Sequence, residues 1–257
     1  MGANSNLAFR RIRTAVLSLI VLVIAWQIIS VFVDPEILPG PKPVFAVFMA
    51  EAKSGEMAFH LTATLLRVIT AFVLAMIIGS AIGIALGLSS KANRFFDPWI
   101  VLLLNFPALV IIVLAYIWFG LNEVAAIGAV AVNKVPNVVV TLREGARALD
   151  KSLLEMGQAF QLNRRKMLTQ IILPQLQPFF AAASRSGISL IWKIVLVVEL
   201  LGRPNGIGFQ IHLYFQLFDV ASILAYALTF VCVMMVIELV VIQPLEHRAS
   251  RWRKRDA

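Results

Sequence analysis

The chain has 257 residues, of which 60% are hydrophobic and only 14% are charged. A soluble domain carries about 25% charged residues, so this composition argues against an ordinary soluble globule. The formal net charge of +9 raises the alternative of a nucleic-acid-binding protein. Membrane proteins concentrate Lys and Arg on their cytoplasmic side, so the position of these residues along the chain decides between the two classes.

Six apolar segments are long enough to cross a bilayer as helices, a crossing that takes about 20 residues. In chain order, the predicted spans are 14–33, 62–88, 98–119, 124–142, 179–201 and 222–242. The pattern predicts that residues 1–257 form a single all-α integral membrane domain.

The Lys and Arg residues between these spans are unevenly distributed. Sixteen lie in the two terminal segments and in loops 89–97 and 143–178, whereas the alternate loops carry three. Basic residues accumulate on the cytoplasmic side, so both termini are predicted to be cytoplasmic. The basic run at 248–255 is then interpreted as an anchor at anionic lipid headgroups, and no nucleic-acid partner is expected.

The longest polar interruption contains an amphipathic segment at 151–173. Ser152 and Glu155 have the spacing of a capping box at a helix start, and a second short helix is predicted to open at Asn163 and end at Pro174. One face of the first helix is apolar and comprises Leu153, Leu154, Gly157 and Phe160. This face needs a partner, which is either the protein's own helix ends or a separate soluble subunit.

This segment resembles the EAA loop of the permease subunits of binding-protein-dependent ABC importers. The family pattern is E-A-A, three residues, G, nine residues, I-x-L-P; the matching positions are Glu155-Met156-Gly157, Gln161 and Ile171-Ile172-Leu173-Pro174. Further resemblances in order and spacing are to the subgroup that imports nitrate, sulfonates, taurine and similar solutes. They are Thr64 to Val68, Phe96-Asp97-Pro98, Trp118-Phe119-Gly120, Trp192 with Glu199-Leu200, Gly206-Ile207-Gly208, and Leu245-Glu246 with Arg251-Trp252.

The resemblance implies a type I, MetI-like permease fold of about six transmembrane helices with cytoplasmic coupling helices, in a bacterial inner membrane. It also implies two copies of a separate ATPase subunit that hold ATP and Mg, a second permease subunit in a homodimer, and a periplasmic solute-binding protein. No cofactor is then expected on this chain. The residues that the resemblance assigns to ATPase coupling are Glu155, Met156, Gly157, Phe160, Gln161, Asn163, Ile171, Leu173 and Pro174.

Two positions depart from the family pattern. Gln161 stands where the family has glycine, and a left-handed backbone there would cost a residue with a side chain about 1–2 kcal/mol more than glycine. A turn built through Asn163 is the alternative. Val113 stands where a second proline is usual in the third span, which weakens the expectation of a kink at that position.

No catalytic or metal-binding pattern is present in the sequence. There is no G-x-x-x-x-G-K-[ST] phosphate loop, so the chain itself is not expected to hydrolyse ATP. His60, His212 and His247 show no metal-ligand spacing. An intramembrane enzyme therefore has little support.

Four ionisable residues within or at the ends of the spans are candidates for a translocation path: Lys134, Arg185, Lys193 and Glu199. Such groups cost about 2.5–3.5 kcal/mol at mid-membrane and face protein or water. They either line the path or form structural interactions, such as Lys193 with Glu199 or Arg185 with lipid headgroups. If they line it, the excess of cations favours an anionic solute. Asn105, Asn133, Asn137 and Trp192 are additional candidates for the path.

The resulting hypothesis is the permease subunit of an ATP-driven importer for a small anion such as nitrate, a sulfonate or taurine. The main alternative is a secondary transporter or channel that uses an ion gradient, and a third is a structural membrane subunit without transport. No internal repeat of the kind common in secondary carriers is evident, and a gradient-driven protein has no need of the amphipathic segment at 151–173.

Overall fold

The computed structural model describes the backbone of residues 2–244, together with the side chains of residues 13, 14, 17–240, 243 and 244. The C-terminal resemblance at 245–252, His247 and the basic tail lie outside the described residues. The described residues form helices and no β-strand. The helices are α1 (Gly2–Phe32), α2 (Pro41–Ser54), α3 (Glu56–Leu88), α4 (Ser90–Asn105), α5 (Ala108–Phe119), α6 (Glu123–Arg147), α7 (Lys151–Ala159), α8 (Arg164–Gly202), α9 (Ile207–Gln216) and α10 (Val220–Ile237).

Four of these helical segments are long and apolar enough to cross a bilayer: α3, α6, α8, and α10 with its continuation to Val240. They contain the predicted spans 62–88, 124–142 and 179–201 and most of 222–242. The predicted span 14–33 falls on α1, where Leu17–Phe32 is a shorter apolar stretch.

The segment 98–119, predicted as one span, is broken into two helices. Helices α4 and α5 meet at an angle of 95°, with Phe106 and Pro107 both in extended backbone conformations. Proline has no N–H to donate, and it disfavours the helical conformation of the residue before it. The bend is therefore at Pro107. This is six residues before Val113, which stands where the family usually has a second proline.

The chain divides into two compact units, the first formed by Met1–Phe59 and Gln210–Phe230. In this unit the indole Nε1 of Trp26 donates to the carbonyl of Pro39 at 3.1 Å, which holds the end of α1 to the start of α2. The Glu51 carboxylate accepts hydrogen bonds from the hydroxyls of Tyr226 at 2.7 Å and Tyr214 at 3.3 Å. Burial, with the nearby Glu51 carboxylate, raises the pKa of Tyr214, so its hydroxyl keeps the proton it donates.

The second unit, His60–Phe209 with the chain after Val231, is built around α6. Glycines of α3 lie directly against α6: a Cβ on Gly79 would be 2.6 Å from Cβ of Val138, and one on Gly87 would be 2.4 Å from Cβ of Ala146. Small residues allow such close backbone approach in a membrane, where van der Waals packing holds helices together. The core of this unit therefore depends on small side chains along α3.

Candidate functional site

Helix α7 occupies the first half of the segment that resembles the EAA loop. Its N-cap is Asp150, whose Oδ1 accepts from the backbone N–H of Ser152 at 2.8 Å. The predicted capping box at Ser152 is therefore wrong: Asp150 already caps the helix two residues earlier, and Ser152 lies inside it. An acidic N-cap is also stabilised by the helix dipole.

Helix α7 ends in a left-handed turn at Gln161, where φ is +49°. The N–H of Gln161 donates to the carbonyl of Gln158 at 2.9 Å, and the N–H of Leu162 donates to that of Gly157 at 3.0 Å. These two bonds form a Schellman motif, which normally places glycine at the left-handed position. Asn163 does not make this turn; it caps α8, with its Oδ1 accepting from the N–H of Lys166 at 2.8 Å.

The second predicted helix of this segment does not end at Pro174. It continues as α8 to Gly202, through a π-helical turn at Met167–Ile172. A π-helical turn changes the backbone hydrogen-bond partners locally, and Pro174 comes directly after it, at the start of the following α-helical part. Gln175 reinforces the region, since its side chain donates to the carbonyl of Ile171 at 3.0 Å and accepts from the N–H of Asp150 at 2.9 Å.

Helix α7 is packed at one position and leaves neighbouring apolar side chains exposed. Gly157 is buried, and a Cβ there would be 2.6 Å from Cδ1 of Ile171 and 2.7 Å from Cε of Met167. Beside Gly157, within about 100° of it around the helix axis, three apolar side chains remain uncovered within the chain: Leu153 is 39% exposed, Met156 45% and Phe160 75%. We call these three side chains the α7 apolar face.

The other residues assigned to coupling surround this face. Glu155 and Gln161 are exposed, as are Asn163 and Pro174. Ile171 is buried against α7 and Leu173 is half-buried. The segment thus combines a packed inner side with an uncovered outer one.

Glu199, a candidate for the path, lies in a buried polar cluster. Its carboxylate is fully buried and accepts from Nη1 of Arg67 at 2.7 Å, from Oγ1 of Thr64 at 2.9 Å and from the N–H of Gly208 at 2.9 Å. The predicted pairing of Lys193 with Glu199 is therefore wrong, because Arg67 occupies that place. A fully enclosed carboxylate with three donors holds helices together and does not face an open path.

Arg67 extends this cluster to the start of α6. Its Nε and Nη2 donate to the two oxygens of Glu123 at 2.9 and 2.7 Å, and its Nη1 and Nη2 also reach the backbone and side chain of Asn205. Arg203 donates to the same Glu123 at 2.6 Å. Two arginines and two carboxylates therefore join α3, α6, α8 and the loop after α8.

The loop after α8 is shaped to fit around Glu199. Gly206 has a φ of +111°, and a Cβ there would lie 2.3 Å from the Glu199 carboxyl carbon. The N–H of Gly206 donates to Nδ1 of His60 at 3.0 Å, and the N–H of Ile207 donates to Thr64 at 2.8 Å. The family-like Gly206-Ile207-Gly208 run therefore lies around the buried carboxylate.

The two cations in the membrane-spanning part of α8, Arg185 and Lys193, lie on its exposed side. Nζ of Lys193 is 5.4 Å from the ring centre of the half-buried Trp192, and Nε of Arg185 is 3.8 Å from the carboxylate of Glu238. Ser186 and Ser189 are also exposed on this side. Neither serine was predicted as a path residue, although the four-residue steps from Arg185 to Ser189 to Lys193 place Ser189 on the same side of the helix as the two cations.

Lys134 lies in the interior of the second unit. Its side chain is 2% exposed, and no carboxylate of the described residues forms an ion pair with it. A Cβ on Gly187 would be 3.4 Å from its Cε and 3.1 Å from the ring of Phe72. The Lys134 side chain therefore packs against Gly187, where no side chain obstructs it. Gly187 lies on the side of α8 away from Arg185 and Lys193.

The asparagine candidates are dispersed. Asn105 is exposed and its side chain donates to the carbonyl of Val101 at 2.7 Å, whereas Asn133 and Asn137 are half-buried beside Lys134 in α6. Among the described residues, no group of three His, Cys, Asp or Glu side chains is placed to hold a metal.

The comparison with known proteins defines the class. The chain belongs to the family of binding-protein-dependent transport system inner membrane components, whose model matches residues 75–254. It is therefore a membrane permease subunit and not an enzyme. It is similar to the putative aliphatic sulfonates transport permease protein SsuC of Bacillus subtilis (strain 168), with 27% identity over 91% of this chain and 85% of the relative.

Two further comparisons agree with this class. The taurine transport system permease protein TauC of Escherichia coli (strain K12) is 25% identical over 95% of this chain and 90% of the relative. A solved structure of the MetNI methionine ABC transporter in inward-facing conformations matches with a TM-score of 0.64 at 15% identity, over 73% of this chain and 93% of that chain. The all-α fold is thus that of ABC importer permeases.

Proposed function

We propose that this chain is the permease subunit of an ATP-driven importer and that separate ATPase subunits bind its α7 apolar face. The observation that carries the proposal is the exposure of Leu153, Met156 and Phe160 on α7, although Gly157 next to them is packed against Met167 and Ile171. Contiguous exposed apolar side chains mark interaction sites. The positive charge of the 143–178 loop supports a cytosolic position for this face, where lipid tails would not cover it.

The continuity of α8 supports transmission from this contact to the membrane. Met167 and Ile171 pack directly against Gly157 of α7, and both belong to α8, which continues to Gly202. A displacement of α7 on ATP binding therefore reaches the membrane helices through packed side chains. Such a displacement moves helices between inward-open and outward-open arrangements.

The assembly that follows has two permease subunits as a homodimer, two ATPase subunits holding ATP and Mg, and a periplasmic solute-binding protein. Both termini lie in the cytoplasm. The family description names a binding-protein-dependent system, and the distribution of Lys and Arg supports the orientation.

The solute in this proposal is a small anion such as a sulfonate, taurine or nitrate. The names of two similar permeases mention aliphatic sulfonates and taurine. Arg185 and Lys193 are exposed cations in the membrane-spanning part of α8, and an excess of positive charge along a path favours anions.

Co-purification with candidate ATPase subunits tests the docking. Phe160→Asp is expected to lose the ATPase and stimulated ATP hydrolysis while membrane insertion is retained, because a charge replaces the most exposed apolar contact. Glu155→Lys is expected to abolish stimulation in the same way. Phe218→Asp is the matched control: Phe218 is 82% exposed and lies in the loop before α10, which is predicted to face the opposite side.

Two outcomes would contradict the proposal. One is normal ATPase stimulation in Phe160→Asp. The other is uptake that persists after ATP depletion in the wild-type protein, which would favour a gradient-driven carrier.

A further inference from the structure

An exposed polar stripe runs along the membrane-spanning part of α8. It consists of Arg185, Ser186, Ser189 and Lys193, all exposed in the described structure. At 100° per residue these positions fall within about 100° of one another around the helix. Eight residues separate the two cations, a rise of about 12 Å along the axis. We call this set the α8 polar stripe.

The stripe is unsuited to contact with lipid. Each cation costs about 2.5–3.5 kcal/mol at mid-membrane unless it faces protein or water. The serine hydroxyls make only local bonds to carbonyls of their own helix, Ser186 to Ala183 at 3.2 Å and Ser189 to Ser186 at 3.2 Å. Hydroxyls held this loosely can turn to donate to a passing acceptor.

Glu238 introduces a negative group at one end of the stripe. It stands at the start of the π-helical turn Glu238–Ile242, and its carboxylate is 3.8 Å from Nε of Arg185. The side chains of Arg185 and Glu238 are 52% and 32% exposed. A partly exposed ion pair at this distance contributes little free energy, so another anion can compete for the guanidinium.

We propose that the α8 polar stripe is a path for a small oxyanion and that Glu238 displaces the anion from Arg185. This deepens the proposed function and rests on it. Lys193 and Arg185 supply positive charge at the two ends, and Ser189 and Ser186 supply hydrogen bonds between them. Guanidinium groups bind planar and tetrahedral oxyanions through paired N–H donors. The ion pair between Glu238 and Arg185 then forms again, and the anion is released from Arg185 along the path.

Lys134 has no place in this path. It packs against Gly187 on the other side of α8, with its side chain almost fully buried. The stripe therefore includes two of the four cations within the predicted spans, together with two serines; the other two cations are Arg67 and Lys134.

Thiol labelling tests the path without knowledge of the solute. Cys232 is replaced by alanine, and Ser189→Cys is introduced into the full chain in membranes with its ATPase. The probes are a negatively charged and a positively charged methanethiosulfonate of similar size. The anionic reagent is expected to react about tenfold faster than the cationic one, because the flanking cations concentrate anions. Lys193→Gln and Arg185→Gln are each expected to lower this ratio severalfold.

Glu238→Gln tests the displacement step. In a Ser186→Cys background it is expected to raise the anionic-to-cationic rate ratio severalfold, because Arg185 loses its competitor. Glu144→Gln is the matched control, a partly exposed glutamate paired with Arg147 on α6, and is expected to leave the ratio unchanged. Ile77→Cys on α3, which is 64% exposed, is expected to resist both reagents because it faces lipid.

Three results would overturn the inference. They are a Ser189→Cys thiol that resists both reagents, equal rates for the two reagents, and a Glu238→Gln variant without effect. ATPase co-purification is measured on the same variants, so a retained ATPase with an inert Ser189→Cys refutes the path and leaves the proposed docking intact.

Discussion

Arg67 and Glu199, which are 132 positions apart in sequence, meet at 2.7 Å in the interior of the protein. The contact joins α3 to α8, and the same guanidinium holds Glu123 at the first residue of α6. One arginine therefore fixes the relative positions of three helices at one end of the second unit.

Because Arg67 and Glu199 are paired in the interior, removing the charge of one of them is expected to lower the stability of the protein strongly. Glu199→Gln is expected to lower the free energy of unfolding by about 3–5 kcal/mol, because it removes the fully buried one of the two carboxylates that pair with the Arg67 guanidinium. Thermal unfolding in detergent measures the change. Glu144→Gln removes an exposed carboxylate that pairs with Arg147 and Arg143, and it is expected to cost less than about 1 kcal/mol because Arg143 keeps Asp97. Equal thermal unfolding midpoints for Glu199→Gln and Glu144→Gln would refute the stabilising role of the buried pair.

The loop around Glu199 predicts a steric effect at Gly206. Gly206→Ala is expected to destabilise the protein strongly, since the added methyl group would meet the carboxyl carbon at 2.3 Å and the φ of +111° disfavours a side chain. Gly128→Ala is the matched control: a Cβ there has no neighbour within 4 Å, and alanine favours the helix. A Gly206→Ala protein with the wild-type midpoint would contradict the geometry of this loop.

The left-handed turn after α7 predicts a stabilising substitution. Gln161→Gly is expected to raise the free energy of unfolding by about 1 kcal/mol, because glycine adopts a φ of +49° without steric cost. Gln158→Gly, inside α7, is expected to lower it by about 1 kcal/mol. Chemical unfolding monitored by helix content compares the two variants. A loss of stability in Gln161→Gly would mean that the glutamine side chain itself holds the turn.

The burial of Lys134 predicts that its charge destabilises the protein. Lys134→Met is expected to raise the thermal midpoint by several degrees, because a buried unpaired ammonium is costly and methionine has a similar shape. Lys134→Met should leave the ratio of the anionic to the cationic labelling rate at Ser189→Cys unchanged. Lys193→Met is expected to do the reverse, lowering the ratio with little change in the midpoint. A lower midpoint for Lys134→Met would show that the amine makes a stabilising interaction.

Four of the six apolar runs coincide with long apolar helices, because backbone groups in lipid must be satisfied within a helix, whereas the run 98–119 is broken at Pro107. The partner of Glu199 was not predictable, since Arg67 reaches it only after the helices pack. The family glycine pattern did single out Gln161, where the backbone is left-handed. Pro174 misled the prediction because proline normally ends a helix, whereas here it follows a π-helical turn and the helix continues.

Helix α8 spans 39 residues from Arg164 to Gly202, a length of about 59 Å. It is helical throughout, so twisting its first turn about the long axis swings Arg185 and Lys193 through an arc in the same sense. Near the other end of α8, the guanidinium of Arg67 is paired with Glu199 and fixes this end of the helix. In the proposed function, force that an ATPase subunit applies at α7 therefore twists α8, because the other end of this helix is fixed at Glu199.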